Sequence, residues 1–312
     1  MRGDKTEESM VKLTGSAVKP TERRAAMERM ARHGVRPNRR LGQNFLMDAS
    51  TADRIAALCP AGSDDLVIEI GPGMGALTLP LSRRAGHVLA VEIDRGLMPI
   101  LREVLEDHDN VTVERADFLQ FDLSAWLGPW RRSHPEAQIH IAANVPYYIT
   151  TPILRHVFSA VALPRTLVFL VQKEAAARLV AGPGSGAYGP LGASLGVFYT
   201  LKTCFRVPPH AFFPQPGVDS AVVQAVWREE SESAVGIPPE GLLSMADAAF
   251  SHRRKRLANS LETSGWLCPE QKDLLSEVLC GMGLDDKVRA EELRPEQYAT
   301  LYRRLSACEE GS

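Results

Sequence analysis

Cysteine is scarce and scattered in this chain: five residues in 312, at positions 59, 204, 268, 280 and 308, with no Cys-x-x-Cys pair and no cluster with histidine. That spacing excludes a disulfide-stapled scaffold and a structural zinc centre, so no metal is expected. It suits a reducing compartment, and a cytoplasmic location is the expectation. No apolar run approaches the length needed to cross a bilayer, so no membrane association is expected. The first residues lack the apolar core of a secretion signal, and Asp4, Glu7, Glu8, Glu22 and Glu28 argue against an organelle transit peptide. An excess of one charge is also missing. Lys and Arg total 36 against 38 Asp and Glu, a net charge of −2, which excludes a uniformly basic nucleic-acid coat protein.

The charge is unevenly placed instead. Residues 1–40 hold eleven Lys/Arg against five Asp/Glu, and the run Arg253-Arg254-Lys255-Arg256 adds four positive charges, read here as lying on one helix. Basic patches on a near-neutral body suit a phosphate-rich partner. Either run alone would be read as a solvated face.

The apolar fraction of 45% supports a sizeable core, and the length allows two domains. Four divisions are expected. Residues 1–35 form a basic, largely disordered arm with room for a short helix at 21–33, and residues 36–230 form the main domain. Residues 231–240, rich in Ser, Glu, Gly and Pro, are a linker, and 241–308 are a small helical domain. Within the main domain, strands are expected at 66–70, 87–92, 111–114, 138–143, 167–171, 198–201 and 221–226. Helices are expected at 48–58, 76–85, 95–107, 151–159 and 173–180. The Gly-rich stretch 182–190 reads as a long mobile loop. Strands alternating with helices give an α/β fold: a mostly parallel sheet covered on both faces, with ligands at the carboxyl ends of the strands.

Two segments carry chemistry. In Leu66-Val-Ile-Glu69-Ile-Gly71-Pro-Gly73-Met-Gly75 an apolar strand stops at three alternating glycines. Glycine permits positive φ and lets a ligand come close to the backbone, so this is a nucleotide-binding corner. Glu92 ends the next strand, where a carboxylate accepts hydrogen bonds from ribose hydroxyls, and Asp117 follows the third, placed to accept from an adenine amino group. The corner alone does not separate a nicotinamide dinucleotide from S-adenosylmethionine. Glu69 favours the latter, because a sulfonium and an amino group benefit from a nearby negative charge.

The second segment is Ile139-His-Ile-Ala-Ala-Asn144-Val145-Pro-Tyr147-Tyr. A β-branched run enters a rigid turn that presents an amide beside a ring. Asn144 can accept one hydrogen of an exocyclic amino group and the Val145 carbonyl the other, with Tyr147 as a stacking face. An ordinary strand-end turn is the alternative for this segment taken alone. A dehydrogenase has no use for such a turn. A DNA adenine methyltransferase would, but a sizeable sequence-reading domain would be expected with it.

Leu41-Gly-Gln43-Asn44-Phe45-Leu46, the glycine corner, Val91-Glu92-Ile-Asp94, Asp117, Asn144-Val-Pro-Tyr147, Val171-Gln172-Lys173-Glu174 and Val207-Pro-Pro-His-Ala-Phe212-Phe-Pro-Gln-Pro216-Gly-Val-Asp219-Ser occur in that order. Together they resemble the KsgA-type small-subunit ribosomal RNA adenine dimethyltransferases, from about residue 36 to about residue 305. The first half also resembles the Erm-type large-subunit enzymes, and Arg253-Arg254-Lys255…Asn259-Ser-Leu261 is similar to the small-subunit branch. The resemblance implies a Rossmann-like class I S-adenosylmethionine-dependent methyltransferase sheet with a small C-terminal all-α domain. The implied reaction is dimethylation at N6 of two adjacent adenosines in a hairpin near the 3′ end of 16S rRNA, during maturation of the small ribosomal subunit, by a monomer. It implies catalytic roles for Asn144, Val145, Tyr147 and Phe212, the last flanking the target base. Asn44, Leu46, Glu69, Gly71, Gly73, Glu92, Asp117 and Asn144 would hold S-adenosylmethionine, and Arg253, Arg254, Lys255 and Arg256 would bind RNA. A non-catalytic assembly or transcription factor on the same fold is the competing class, although here the active-site motifs stand complete. The chain departs from the family pattern at Val145, usually Leu or Ile. It departs again at Pro190-Leu191-Gly192 and Gly196, which were expected at a surface near the target pocket.

Overall fold

The structure is a computed structural model and describes residues 20–145, 149–159, 163–228, 234 and 236–306. The linker expectation at 231–240 and the arm expectation at 1–35 therefore fall partly outside the described residues.

Seven strands build the central sheet: β1 (Leu66–Ile70), β2 (His87–Glu92), β3 (Val111–Arg115), β4 (Ile139–Asn144), β5 (Thr166–Gln172), β6 (Tyr199–Val207) and β7 (Ser220–Trp227). They lie in the order β3-β2-β1-β4-β5-β7-β6, and only β7 runs against the rest. β1 is buried at every position, Glu69 included, as expected of a central parallel strand covered on both faces. The chain winds outward from β1 to β3, then returns to β4 on the other side of β1. That reversal opens a crevice at the carboxyl ends of β1 and β4, where a ligand fits without displacing a crossover.

One sheet face packs on a cluster around Ala52, Ile55, Leu77 and Leu81. The other packs on Leu154, Val157 and Phe198 and continues without a break into Leu243, Leu261, Leu279 and Leu301. The C-terminal helices Pro239–Phe250, Leu257–Thr263, Lys272–Gly281 and Pro295–Ser306 thus share the core of the sheet face they cover.

Three expectations are corrected. Residues 190–196 are not a surface. Pro190–Phe198 is a helix, buried from Gly192 onward, that contacts the helices Pro239–Phe250 and Pro295–Ser306. A Cβ on Gly196 would lie 2.7 Å from Cγ of Pro295, so the departure at 196 lets two helices touch. The stretch 182–190 is tied down: Gly184 N donates to Glu291 O at 2.8 Å, and Tyr188 is buried. The basic run 253–256 is not helical. It occupies a turn between the helices ending at Phe250 and starting at Leu257.

Candidate active site

A cavity of about 510 Å³ occupies the crevice at the carboxyl ends of β1, β2 and β4. Asn44, Leu46, Glu69, Gly71, Gly73, Glu92, Asp117, Asn144, Val145 and Phe212 all line it, although they span 169 positions of sequence from 44 to 212. Tyr147 lies outside the described residues.

The floor is the glycine loop. Gly71 adopts φ +67°, and an added Cβ would meet nothing within 4 Å, which leaves free space on the ligand side. Gly73 adopts φ +60°, and its Cβ would come within 3.1 Å of the Phe45 ring, so a side chain here is both strained and blocked. The helix after the loop is only Thr78–Ser82, shorter than the expected 76–85, so loop residues rather than the helix line the cavity.

The roof is the segment 41–47. Phe45 and Leu46 pair antiparallel with Phe213 and Phe212, and Met47 N donates to Ala211 O at 2.7 Å. Gln43 is a brace that sequence reading quoted without a role. Its Nε2 donates to Asp94 Oδ2 at 2.8 Å, and its Oε1 accepts from Asn38 N at 2.7 Å. Asn144, at the end of β4, donates from Nδ2 to the roof carbonyl Asn44 O at 3.0 Å. That bond fixes which way the amide points and leaves Oδ1 as an acceptor for another group. Phe212 is 2% exposed, held by its strand pairing.

Three carboxylates face the cavity. Glu92 accepts from Asp94 N at 2.8 Å and Gly73 N at 3.0 Å, yet burial still raises its pKa. Each of its oxygens retains a second lone pair for a ligand hydroxyl. Asp117 Oδ1 caps the turn Phe118–Gln120 by accepting from Leu119 N at 3.0 Å. Glu69 is buried, and its Oε2 has no hydrogen-bond partner among the described residues. Burial pushes its carboxyl up to about 8, opposed by the Thr78 hydroxyl and reinforced by the Glu92 charge. The Thr78 hydroxyl is likewise buried without a hydrogen-bond partner within normal distance among the described residues, so a polar pair at this end of the cavity is left unsatisfied.

Sequence reading missed Ile93. It is 48% exposed, unusual for isoleucine, and it lines the cavity directly after Glu92. Its position, one residue beyond a strand-end carboxylate, was the available signal: an apolar side chain there suits the flat face of a base.

This donor set tests which cofactor fits. A ligand that joins an adenosine to a positively charged end suits this set of carboxylates. Ile93 and Asp117 suit the base, Glu92 the ribose, and Glu69 the cationic end. Among the described residues no group of His, Cys, Asp and Glu is arranged to hold a metal ion.

The basic run lies away from the cavity. Arg253 is committed to structure: Nη2 donates to Tyr188 O at 2.9 Å and pairs with Glu291 at 3.2 Å. Arg254, Lys255 and Arg256 are exposed.

The Ribosomal RNA small subunit methyltransferase A of Pelotomaculum thermopropionicum is 42% identical over 278 residues, covering 88% of this chain and 93% of that protein. Its counterpart from Lactiplantibacillus plantarum is 40% identical over 282 residues, covering 90% and 93%. Among solved structures, the 23S rRNA methyltransferase ErmE superposes with a TM-score of 0.60 at 28% identity, covering 84% of this chain and 100% of that one. A dimethyladenosine transferase from Plasmodium falciparum gives 0.68 at 22% identity, covering 86% and 98%, a likeness of fold. Residues 34–307 match the Ribosomal RNA adenine dimethylase family, a span that takes in the roof, the glycine loop, Asn144 and the C-terminal helices, and the chain belongs to that family.

Proposed function

We propose that this protein transfers methyl groups from S-adenosylmethionine to N6 of two adjacent adenosines in a hairpin of small-subunit ribosomal RNA, giving N6,N6-dimethyladenosine. The observation that carries the reading is the Asn144 amide, whose NH2 is held by Asn44 O while Oδ1 is left at the cavity as an acceptor.

S-adenosylmethionine, when bound, supplies an electrophilic methyl group. The protein's task is to aim a poor nucleophile at it, because the adenine N6 lone pair is delocalised into the ring. Asn144 Oδ1 and the Val145 carbonyl accept the two N6 hydrogens, which draws the amino group toward tetrahedral geometry and turns its lone pair to the methyl. The developing ammonium loses a proton readily, so no strong general base is required. Tyr147, from its place in the motif, stacks on the extruded base, and Phe212 bounds the space opposite. Glu92 receives the ribose hydroxyls, Asp117 the adenine amino group and Glu69 the positive end of the cofactor. Arg254, Lys255 and Arg256 meet RNA phosphates, which leaves Arg253 to hold their turn in place.

The test supplies purified protein, labelled S-adenosylmethionine and undermodified small and large subunits separately, with nucleosides read by mass spectrometry. Dimethyladenosine from the small subunit alone supports the reading. Label only in large-subunit RNA moves the substrate to that of the Erm-type enzymes. Label in neither overturns the catalytic reading.

A further inference from the structure

Residues 20–33 lie outside the segment that matched the family, and they are docked rather than loose. Helix Pro20–Arg32 lies against the outer side of the pocket roof. Met30, 4% exposed, shares one hydrophobic cluster with Phe45, Met47, Met74, Leu97 and Ile100. Phe45, Met74 and Leu97 also line the cavity, so Met30 stands behind the residues that touch the ligand. Near the start of the helix, the Arg23 guanidinium lies 5.6 Å from the centre of the Phe213 ring, and Phe213 is the strand partner of Phe45.

The far end is fastened by charge. Arg29 Nε, Arg32 Nη2 and His33 Nε2 converge on the carboxylate of Glu103 at 3.3, 2.7 and 2.9 Å. Glu103 sits in the helix Met98–Val104, in the connection that leaves Glu92 and Asp94. Hydrogen bonds from His33 and Arg32 pull its pKa down to about 2. Isolated surface pairs contribute little, but three donors on one acceptor define a direction for the helix that one pair would not.

The roof depends on such support. Beyond its two-residue strand pairing and the Met47 N bond to Ala211 O, the segment 41–47 is tied to the rest of the site by side chains: Gln43 on Asp94 and Asn144 on Asn44 O. A 13-residue helix is marginal alone in water, so helix and roof order each other.

We propose that helix Pro20–Arg32 is a strap that holds the roof over the cofactor, with Glu103 as the positioning residue that fastens it. The proposal rests on the S-adenosylmethionine reading above. Through the roof, the strap also sets Asn44 O, and hence the orientation of the Asn144 amide.

The test compares the full-length wild type with Glu103→Ala, Met30→Ala and the control Glu106→Ala, which removes a nearby exposed carboxylate. Cofactor affinity is read by titration calorimetry, and backbone amide exchange is followed across residues 41–47. Loss of the strap is expected to weaken S-adenosylmethionine binding by about 5- to 10-fold, within the usual range for coupled sites. KM for the cofactor should rise in parallel, kcat at saturating cofactor should change less than about twofold, and exchange should quicken at 41–47 but not in β1 or β4. Glu106→Ala should match wild type. If Glu103→Ala fails to fold by circular dichroism, Met30→Ala carries the test. Wild-type affinity and exchange in the strap variants overturn the strap alone. A wild type that binds no S-adenosylmethionine overturns the cofactor reading and the strap with it.

Discussion

With Glu69 at the positive end of the cofactor, as proposed, the pocket becomes a proton-linked site. The Glu69 carboxyl is buried at the end of β1, has one oxygen without a partner, and is pushed up to about 8 by burial, with the Glu92 charge adding to the effect. At pH 7 the ligand-free protein therefore holds this group mostly protonated. A cofactor with a cationic sulfonium and ammonium favours the ionised form, so binding expels the proton. Apparent affinity must then rise with pH while the free group is protonated, approaching tenfold per unit well below its pKa. Between pH 6 and 7, where most of the cofactor's ammonium stays charged, the expected gain approaches tenfold. Calorimetry at pH 7 in buffers of different ionisation enthalpy should register net proton release on binding. Glu69→Gln should flatten the profile near the weak, low-pH affinity of wild type. Folding stability runs the opposite way. Because the folded state holds a proton that the unfolded chain releases, stability of the ligand-free protein falls as pH climbs from the ordinary 4.5 through about 8. The fall amounts to at most about 5 kcal/mol, and bound cofactor cancels part of it. A wild-type affinity that is flat from pH 6 to 7, with no proton release, would refute the argument.

Asn144→Ala should lower kcat by about 10²- to 10³-fold, the usual loss for one transition-state hydrogen-bond partner, while cofactor affinity changes only modestly through the lost bond to Asn44 O; retained turnover would remove the amino-group role. Gly73→Ala forces a Cβ at φ +60° toward the Phe45 ring, so cofactor affinity should fall at least tenfold and the melting temperature should drop by a few degrees, and an unaltered titration would contradict the contact. Neutralising Arg254, Lys255 and Arg256 together should weaken RNA binding and make the slope of log affinity against log salt shallower by about 2–3. Arg253→Ala should instead lower thermal stability, because it unpins Tyr188 O and Glu291, and an equal salt-slope effect from both sets would put all four residues on RNA.

The sheet and cavity were legible because their signals are local. β1 announces itself by five apolar-context positions ending at glycines, and Glu92 and Asn144 by standing at strand ends, where ligands bind in open α/β sheets. Where reading failed, local preference was overruled by tertiary contact. Pro190–Phe198 has two glycines and a proline in nine residues, the composition of a loop, yet it is helical because it is buried and lets Pro295 approach Gly196.

Residues 20–32 were legible as a short helix in a basic arm, but not as a docked one, because their charge is conspicuous and their apolar content slight. Only the fold shows that Arg29, Arg32 and His33 meet one carboxylate about seventy positions away. Arg253 teaches the same lesson inside a single motif. Four consecutive cations look equivalent in sequence, and only the fold shows that the first is bonded to Tyr188 O and Glu291 while the other three remain exposed. A charge run marks a surface that meets something charged. Which members meet the partner and which meet the protein itself depends on carboxylates and carbonyls elsewhere in the chain, so the assignment of RNA contacts has to begin from the cations left without an internal partner.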